Sequence, residues 1–436
     1  MVRLAMPLVL AELGWMLMGI VDTMMVGRVS AAAIGAVGLG TTVFYFVGIT
    51  LGGVLLGLDT LVSQAFGAGD RDDCRRSLIN GVWLALLLIV PAMLMVEIAI
   101  AILPSLGVDR GVIADVEPYL RVLNWSTPPL FVYFAFRRYL QSCHIARPVM
   151  ITLITANLVN LAVNWILVFG NLGAPRLGAA GAAWATTLSR IYMMAALGVV
   201  IWRADRGLTQ ISWRPDWTRI RKLIALGLPA ATQMGVEIAV FAAVTVLIGR
   251  LNAIALAGHQ IAITTVSTTF MMPLGISSAA AVRVGSALGR GDPQGAARAG
   301  WTALGLGAMV MSCAAAALLL IPHAIARLFT PEPEIIAAGV ALLRVAAFFQ
   351  LFDGLQVVAT GALRGAGDTR TPMFCHFTGY WIIGLPLGVW LCFYQGLGAR
   401  GLWMGLSIGL ILIGIVLVAF WRRAVTGLGS NPTVTQ

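Results

Sequence analysis

Five carboxylates, Glu12, Asp22, Glu97, Glu237 and Asp353, stand inside long apolar runs of a 436-residue chain that is 59% hydrophobic and only 11% charged. A charged carboxylate at the centre of a bilayer costs at least ~2.5–3.5 kcal/mol. Such a group must face a cavity, hold a cationic partner or take up a proton. Glu237 and Asp353 lie mid-run in the second half of the chain, and Asp22 lies in the first half, toward the far end of its run. Asn157, Asn160 and Asn164 form a second set in ANLVNLAVNW. On a helix Asn160 and Asn164 share a face at i, i+4, and Asn157 adjoins it at i−3 to Asn160. Amide oxygens beside a carboxylate can coordinate a small hard cation or hydrogen-bond a substrate, and the same amides can equally serve as glue between helices.

Ion pairing is the structural alternative for the acids. Arg121, Arg190 and Arg344 are the basic residues within apolar runs. Arg344 and Asp353 are half a turn out of phase at 3.6 residues per turn, so they cannot pair on one helix. Arg121 has Glu117 at i−4 and is predicted to form a local surface pair. Arg190 is left to neutralise one acid at most. The pattern points to function at Glu237, Asp353 and Asp22, and leaves Glu12 and Glu97 open between function and structure.

Several other chemistries find no support. The single lysine, Lys222, is outside any GxxxxGK[ST] context, so ATP binding by a P-loop is not expected. The histidines, His144, His259, His323 and His376, are scattered, and the five cysteines lie far apart without a CxxC, so they read as free thiols. Gly396–Gly401 matches GxGxxG but joins two apolar runs rather than a strand to a helix. Gly405–Gly409 matches GxSxG inside an apolar run with no histidine after it. No enzyme, cofactor or nucleic-acid partner is indicated.

The elements that must carry these residues follow from apolar run length. Crossing the hydrocarbon core takes about 20 mostly apolar residues. Runs of that length predict twelve spans near 4–26, 38–62, 78–103, 116–139, 148–169, 179–201, 223–248, 259–281, 299–321, 335–361, 372–394 and 401–421. So few charges cannot coat a water-soluble surface. The expected fold class is all-α integral membrane. Only Arg28, Arg110, Arg176, Arg250, Arg327 and Arg400 fall on one side, whereas Arg71, Arg75, Arg76, Arg137, Arg138, Arg147 and most of the remaining basic residues fall on the other. The positive-inside rule then puts both termini in the cytoplasm. The formal charge of +11 reflects orientation and contact with anionic lipid. The first run, with Glu12 and Asp22 inside it, reads as a membrane helix rather than a signal peptide. It opens already at Leu4, so a few cytoplasmic residues are expected ahead of Met1.

The chain repeats itself. LAMP at Pro7 returns as LGLP at Pro229, QAFGAGD at Asp70 as SALGRGD at Asp292, and YLRV at Arg121 as LLRV at Arg344. ARPVM at Pro148 returns as TRTPM at Pro372, and LGAAG at Gly181 as LGARG at Gly401, with every offset between 220 and 224. Two homologous six-helix halves are therefore predicted, residues 1–201 and 223–421, with a basic cytoplasmic linker at 202–222 and a short cytoplasmic tail at 422–436. An even number of spans per half requires a parallel pseudo-two-fold along the membrane normal, around a central cavity that rocking halves expose to alternate sides. The acids are not duplicated: at an offset of 222, Asp22 falls on Val244 and Glu237 on Trp15.

Pro7 with Glu12, VDTMMVGR (21–28), VSQAFGAGD (62–70), the asparagines of ANLVNLAVNW, LGAAGAAWAT (177–186), QMGVEIA (233–239), FDGLQ (352–356) and GALRGAGDTRTP (361–372) occur in an order that resembles the multidrug and toxic compound extrusion (MATE) family, NorM-like branch, over essentially the whole chain. The resemblance implies a multi-pass antiporter of the bacterial inner membrane that acts as a monomer. It would export cationic, amphipathic compounds in exchange for inward Na+ or H+. Carried over by position, Glu237 and Asp353 correspond to the NorM-type cation site, for a proton or for Na+, and Asp22 with Asn157 and Asn160 to a polar site of the first half. Asn164 and Glu12 complete the candidate polar cavity. Some relatives carry an acid in helix 6, where this chain has Arg190. A flippase or exporter of a lipid-linked or other endogenous metabolite is the competing reading, and it would favour a basic cavity.

Overall fold

A computed structural model describes residues 1–106, 110–205 and 212–430; Asp109, the 206–211 part of the predicted linker with Arg206, and the 431–436 end of the tail lie outside the described residues. The described chain is helical throughout. The first half holds α1 (Val2–Val26), α2 (Ala31–Gly52), which passes through one 3-10 turn (Gly53–Leu56) into α3 (Gly57–Gly67), then α4 (Arg71–Ile102), α5 (Arg110–Asn124), α6 (Thr127–Ser142), α7 (Arg147–Phe169) and α8 (Ala179–Ala204). The second holds α9 (Trp217–Gly249), α10 (Ala253–Gly289), α11 (Pro293–Leu320), the short α12 (Pro322–Arg327) and α13 (Pro333–Gly365). It ends with α14 (Arg370–Phe377), α15 (Leu385–Val389) and α16 (Ala399–Ser430). A wide π turn at Thr378–Gly384 joins α14 and α15 into one rod, which a second at Trp390–Tyr394 extends.

Eleven of these rods are long and apolar enough to cross a membrane. The remaining expected span, 116–139, is built from α5 and α6 with a break at Trp125–Ser126. Pro128 and Pro129 carry no N–H to donate to the carbonyls of Asn124 and Trp125, so the helix cannot run through. Neighbouring groups occupy the break: Ser126 Oγ donates to the Leu123 carbonyl at 2.5 Å, and Asn124 Nδ2 donates to the Met93 carbonyl at 3.2 Å.

The repeat is legible in how the helices begin. Ser30 and Asn252, 222 residues apart, are both N-caps, accepting from Ala33 N at 3.0 Å and Ala255 N at 2.7 Å. Asp70 and Asp292, also 222 apart, cap α4 and α11 by accepting from Asp73 N at 2.8 Å and Gly295 N at 2.7 Å. Each follows a glycine in the left-handed region, Gly69 at φ 79° and Gly291 at φ 68°. A side-chain oxygen at this position answers one of the four N–H groups that a helix start leaves unpaired. The corner before α7 repeats less tidily. His144 takes φ 63° where the matching corner before α14 has Gly367 at φ 92°.

The described chain divides into two compact units, Leu10–Ala231 and Met1–Val9 with Thr232 onward. The division falls inside α1 and inside α9, again 222 residues apart. In the first unit, Phe44, Leu58, Phe131 and Tyr133 are among the fully enclosed side chains. In the second, small residues set the packing, as expected where lipid competes equally for apolar surface. Gly405 and Gly409 of α16 lie so close to the α14–α15 rod that a Cβ on them would stand 2.2 Å from Gly388 N and 2.3 Å from the Gly379 carbonyl.

Candidate functional site

Each unit buries its own polar cluster. In the second unit, α9 supplies Glu237, with Gln233 one turn before it donating from Nε2 to Glu237 Oε2 at 3.1 Å. From α13 come Asp353, 3% exposed, and Gln356, fully buried one turn on. Gln356 Nε2 donates to Asp353 Oδ1 at 3.3 Å. His376, on α14, lies between Glu237 and Gln356, the glutamine that bonds Asp353. Its Nε2 lies 2.5 Å from Gln356 Oε1 and 4.0 Å from Glu237 Oε2, and its Nδ1 lies 2.7 Å from the Pro372 carbonyl. Tyr380, fully buried in the π turn, packs its ring 5.9 Å from the imidazole. Trp381 Nε1 ties the same turn to the Val236 carbonyl at 3.1 Å. The wider π turn thus places consecutive aromatic residues against the helix that bears Glu237. No arginine or lysine pairs with Glu237 or Asp353 among the described residues.

In the first unit, Asp22 is the hub. Its Oδ1 accepts from Asn160 Nδ2 at 3.0 Å and Asn164 Nδ2 at 2.7 Å, and its Oδ2 from Thr186 Oγ1 at 2.6 Å. The two asparagines are joined at 3.1 Å. A narrow cavity beside Asp22 is bounded by Gly19, Thr41, Tyr45, Tyr119 and Arg190. Arg190 shares this cavity with Asp22 but forms no ion pair with it among the described residues: it donates to Ser126 Oγ and lies over the Phe44 ring at 4.6 Å. Asn157 is placed differently from its neighbours. Its Nδ2 donates to the Gly14 carbonyl at 2.9 Å and to the Leu153 carbonyl at 2.8 Å, and it makes no bond to Asp22.

The other acids are engaged elsewhere. Glu12 is buried in an ion pair with Arg137 of α6. Arg138 reaches Asp59, which is 1% exposed in the first turn of α3, at 3.5 Å. The sequence placed Arg137 and Arg138 among the cytoplasmic-side residues. Within its unit Arg137 is buried, 3% exposed. Glu97 accepts from Asn124 Nδ2 at 3.0 Å, and Arg121 pairs with Glu117 at 2.8 Å, as their spacing requires. Sequence reasoning missed Gln356 and His376. Gln356 lies at i+3 from Asp353, a same-face position that could have flagged it.

Among the described residues no group of three or more His, Cys, Asp and Glu side chains is placed to hold a metal. Two acids with amide and imidazole neighbours suit a visiting cation better than a resident one, because tight oxygen sites for hard cations gather six or more ligands.

Comparison with known proteins gives these clusters a context. The MatE family model matches residues 7–166 and again 229–390, so its two matches begin 222 residues apart. The probable multidrug resistance protein NorM of Mesorhizobium japonicum is 37% identical, over 96% of this chain and 92% of its own length. That of Bradyrhizobium diazoefficiens is 39% identical over the same shares. The multidrug resistance protein MdtK of Yersinia pseudotuberculosis is 33% identical over 96% of this chain and 93% of its own. The crystal structure of the eukaryotic MATE transporter AtDTX14 superposes with a TM-score of 0.90 at 20% identity, covering 99% of this chain and 98% of that one. A family match that recurs at the offset of the internal repeat, with relatives aligned almost end to end, shows that the chain belongs to the MatE family.

Proposed function

We propose that this protein is a secondary active transporter of the bacterial inner membrane, with both termini cytoplasmic, that exports cationic, amphipathic drugs and toxic compounds. Inward H+ or Na+ drives the export by alternating access, and a single chain suffices for it. The observation that carries this reading is the second-unit cluster, where Glu237 and Asp353 are held by Gln233, Gln356 and His376 and, among the described residues, paired with no arginine or lysine. A carboxylate without a fixed counter-charge, away from water, favours any cation that reaches it. If a coupling ion and a cationic substrate compete for the same pair of acids, each displaces the other, and exchange follows from mutual exclusion. The Asp22 cluster is proposed as the polar contact of the first half, with Asn160, Asn164 and Thr186 orienting its carboxylate. The relatives named for multidrug resistance support the substrate class.

The test is ethidium efflux in everted vesicles under an imposed Na+ gradient and, separately, an imposed pH gradient. Efflux driven by one and not the other identifies the coupling ion, and efflux driven by neither refutes antiport. A flippase for lipid-linked precursors would call for a basic lining, and the Glu237–Asp353 cluster has the opposite sign.

A further inference from the structure

The α14–α15 rod and α16 touch at Gly379 and Gly409, and beyond that contact toward the arginine-rich side they leave a crevice of about 230 Å³. Phe374, Cys375 and Thr378 line it from α14 and the π turn, and Leu412, Ile413 and Val416 line it from α16. Phe374 is 62% exposed, so the crevice opens on the outside of the helices, where a membrane protein meets hydrocarbon. An apolar crevice alone would name no occupant. Here both walls continue into a single cation. On α14, Arg370 lies at i−4 from Phe374, on the same stripe. On α16, Ile413, Val416, Phe420 and Arg423 follow at spacings of three, four and three, one stripe again. Arg423 carries its guanidinium over the Phe420 ring at 5.9 Å, which fixes it on that face. Arg370 lies about 6 Å along its helix from Phe374 and Arg423 about 10 Å from Val416, at a rise of ~1.5 Å per residue. Both arginines are exposed, and neither forms an ion pair among the described residues.

We infer that this crevice is a binding site for an anionic phospholipid of the leaflet on the arginine-rich side, with one acyl chain lying between α14 and α16 and the headgroup phosphate held by Arg370 and Arg423. The chemistry is complementary at both ends. Hydrocarbon fills an apolar slot that lipid would otherwise span imperfectly, and two guanidiniums at the level of the headgroups match a headgroup whose phosphate charge no cation of its own offsets. The inference is independent of the transport reading, because it uses none of the residues of the Glu237 or Asp22 clusters.

The test is native mass spectrometry of the full chain after equilibration with mixed vesicles of phosphatidylglycerol and phosphatidylcholine of identical acyl chains. Phosphatidylglycerol is expected to be retained over phosphatidylcholine. R370Q and R423Q should each reduce that preference ~5-fold, on the scale of one basic residue at a lipid surface. Cys375→Trp, which fills the slot, should reduce retention of both lipids. R221Q, a basic residue of the other compact unit, should leave the preference intact. Equal retention of the two lipids, a preference unchanged in the R370Q/R423Q double variant, or an equal loss in R221Q would each overturn the site.

Discussion

The two units bury acids in different company. In the first, Glu12 faces Arg137, Asp59 faces Arg138, and Asp22 receives three donors from Asn160, Asn164 and Thr186. In the second, Glu237 and Asp353 meet amides, an imidazole and the Tyr380 hydroxyl, and no arginine or lysine pairs with them among the described residues. The position that Glu237 occupies in one repeat is held in the other by Trp15, which stacks on Tyr133 at 6.3 Å. The difference separates two uses of a buried negative charge. One closed by a guanidinium is part of the scaffold, since removing either partner leaves the other uncompensated. One held by neutral donors keeps its attraction for a mobile cation.

The sharpest way to break this comparison is to neutralise the second-unit acids. Glu237→Gln or Asp353→Asn is expected to abolish ion-driven ethidium efflux in everted vesicles while expression stays at the unaltered level; undiminished efflux in both variants refutes the assignment. Glu12→Gln should act on stability instead, costing ~3–5 kcal/mol because Arg137 is left buried and unpaired. Thermal unfolding in detergent reads this out, and an equal shift in Glu237→Gln would erase the distinction between the units. Asp22→Asn keeps the shape of the hub but weakens its bonds to neutral donors. At ~1.5–3 kcal/mol for a hydrogen bond to a charged group, losing the charge-assisted share of one bond lowers efflux ~10-fold or more. Retained efflux would place Asp22 with the scaffold acids. The smallest effect concerns the two buried histidines of the second unit. His376→Gln should raise the apparent KM for the coupling ion ~5-fold, about 1 kcal/mol, because it disturbs the hydrogen bond that orients Gln356. His259, held by Trp403 Nε1 at 3.0 Å and Thr245 Oγ1 at 2.8 Å, touches no acid, and His259→Gln should leave that KM alone.

Much of this arrangement is written locally and therefore legible without coordinates. Run lengths give the spans, and a constant offset gives the doubling. The i, i+4 spacing of Asn160 and Asn164 puts both on one face, where Asp22 is found. What stayed hidden depends on partners far apart in the chain. Nothing near Arg137 in the sequence names its partner, Glu12, 125 positions earlier. His376 has no metal-ligand spacing to mark it, and its partners are a glutamine 20 positions away and a glutamate on another helix. Asn157 shows the converse. Sequence position groups it with Asn160, yet one turn of α7 is enough to hand its amide to the Gly14 backbone.

The matched caps, Ser30 with Asn252 and Asp70 with Asp292, have a consequence for how the molecule came to be lopsided. A doubled gene starts with two copies of every instruction. Those that tell the polypeptide where to turn cannot be dropped from either copy without losing a corner of the architecture, so both survive. Those that set interior charge are needed only once, and the spare copy is free to become tryptophan or valine, as at Trp15 and Val244. Asymmetry of task, on this view, is the ordinary outcome of redundancy in a symmetric frame.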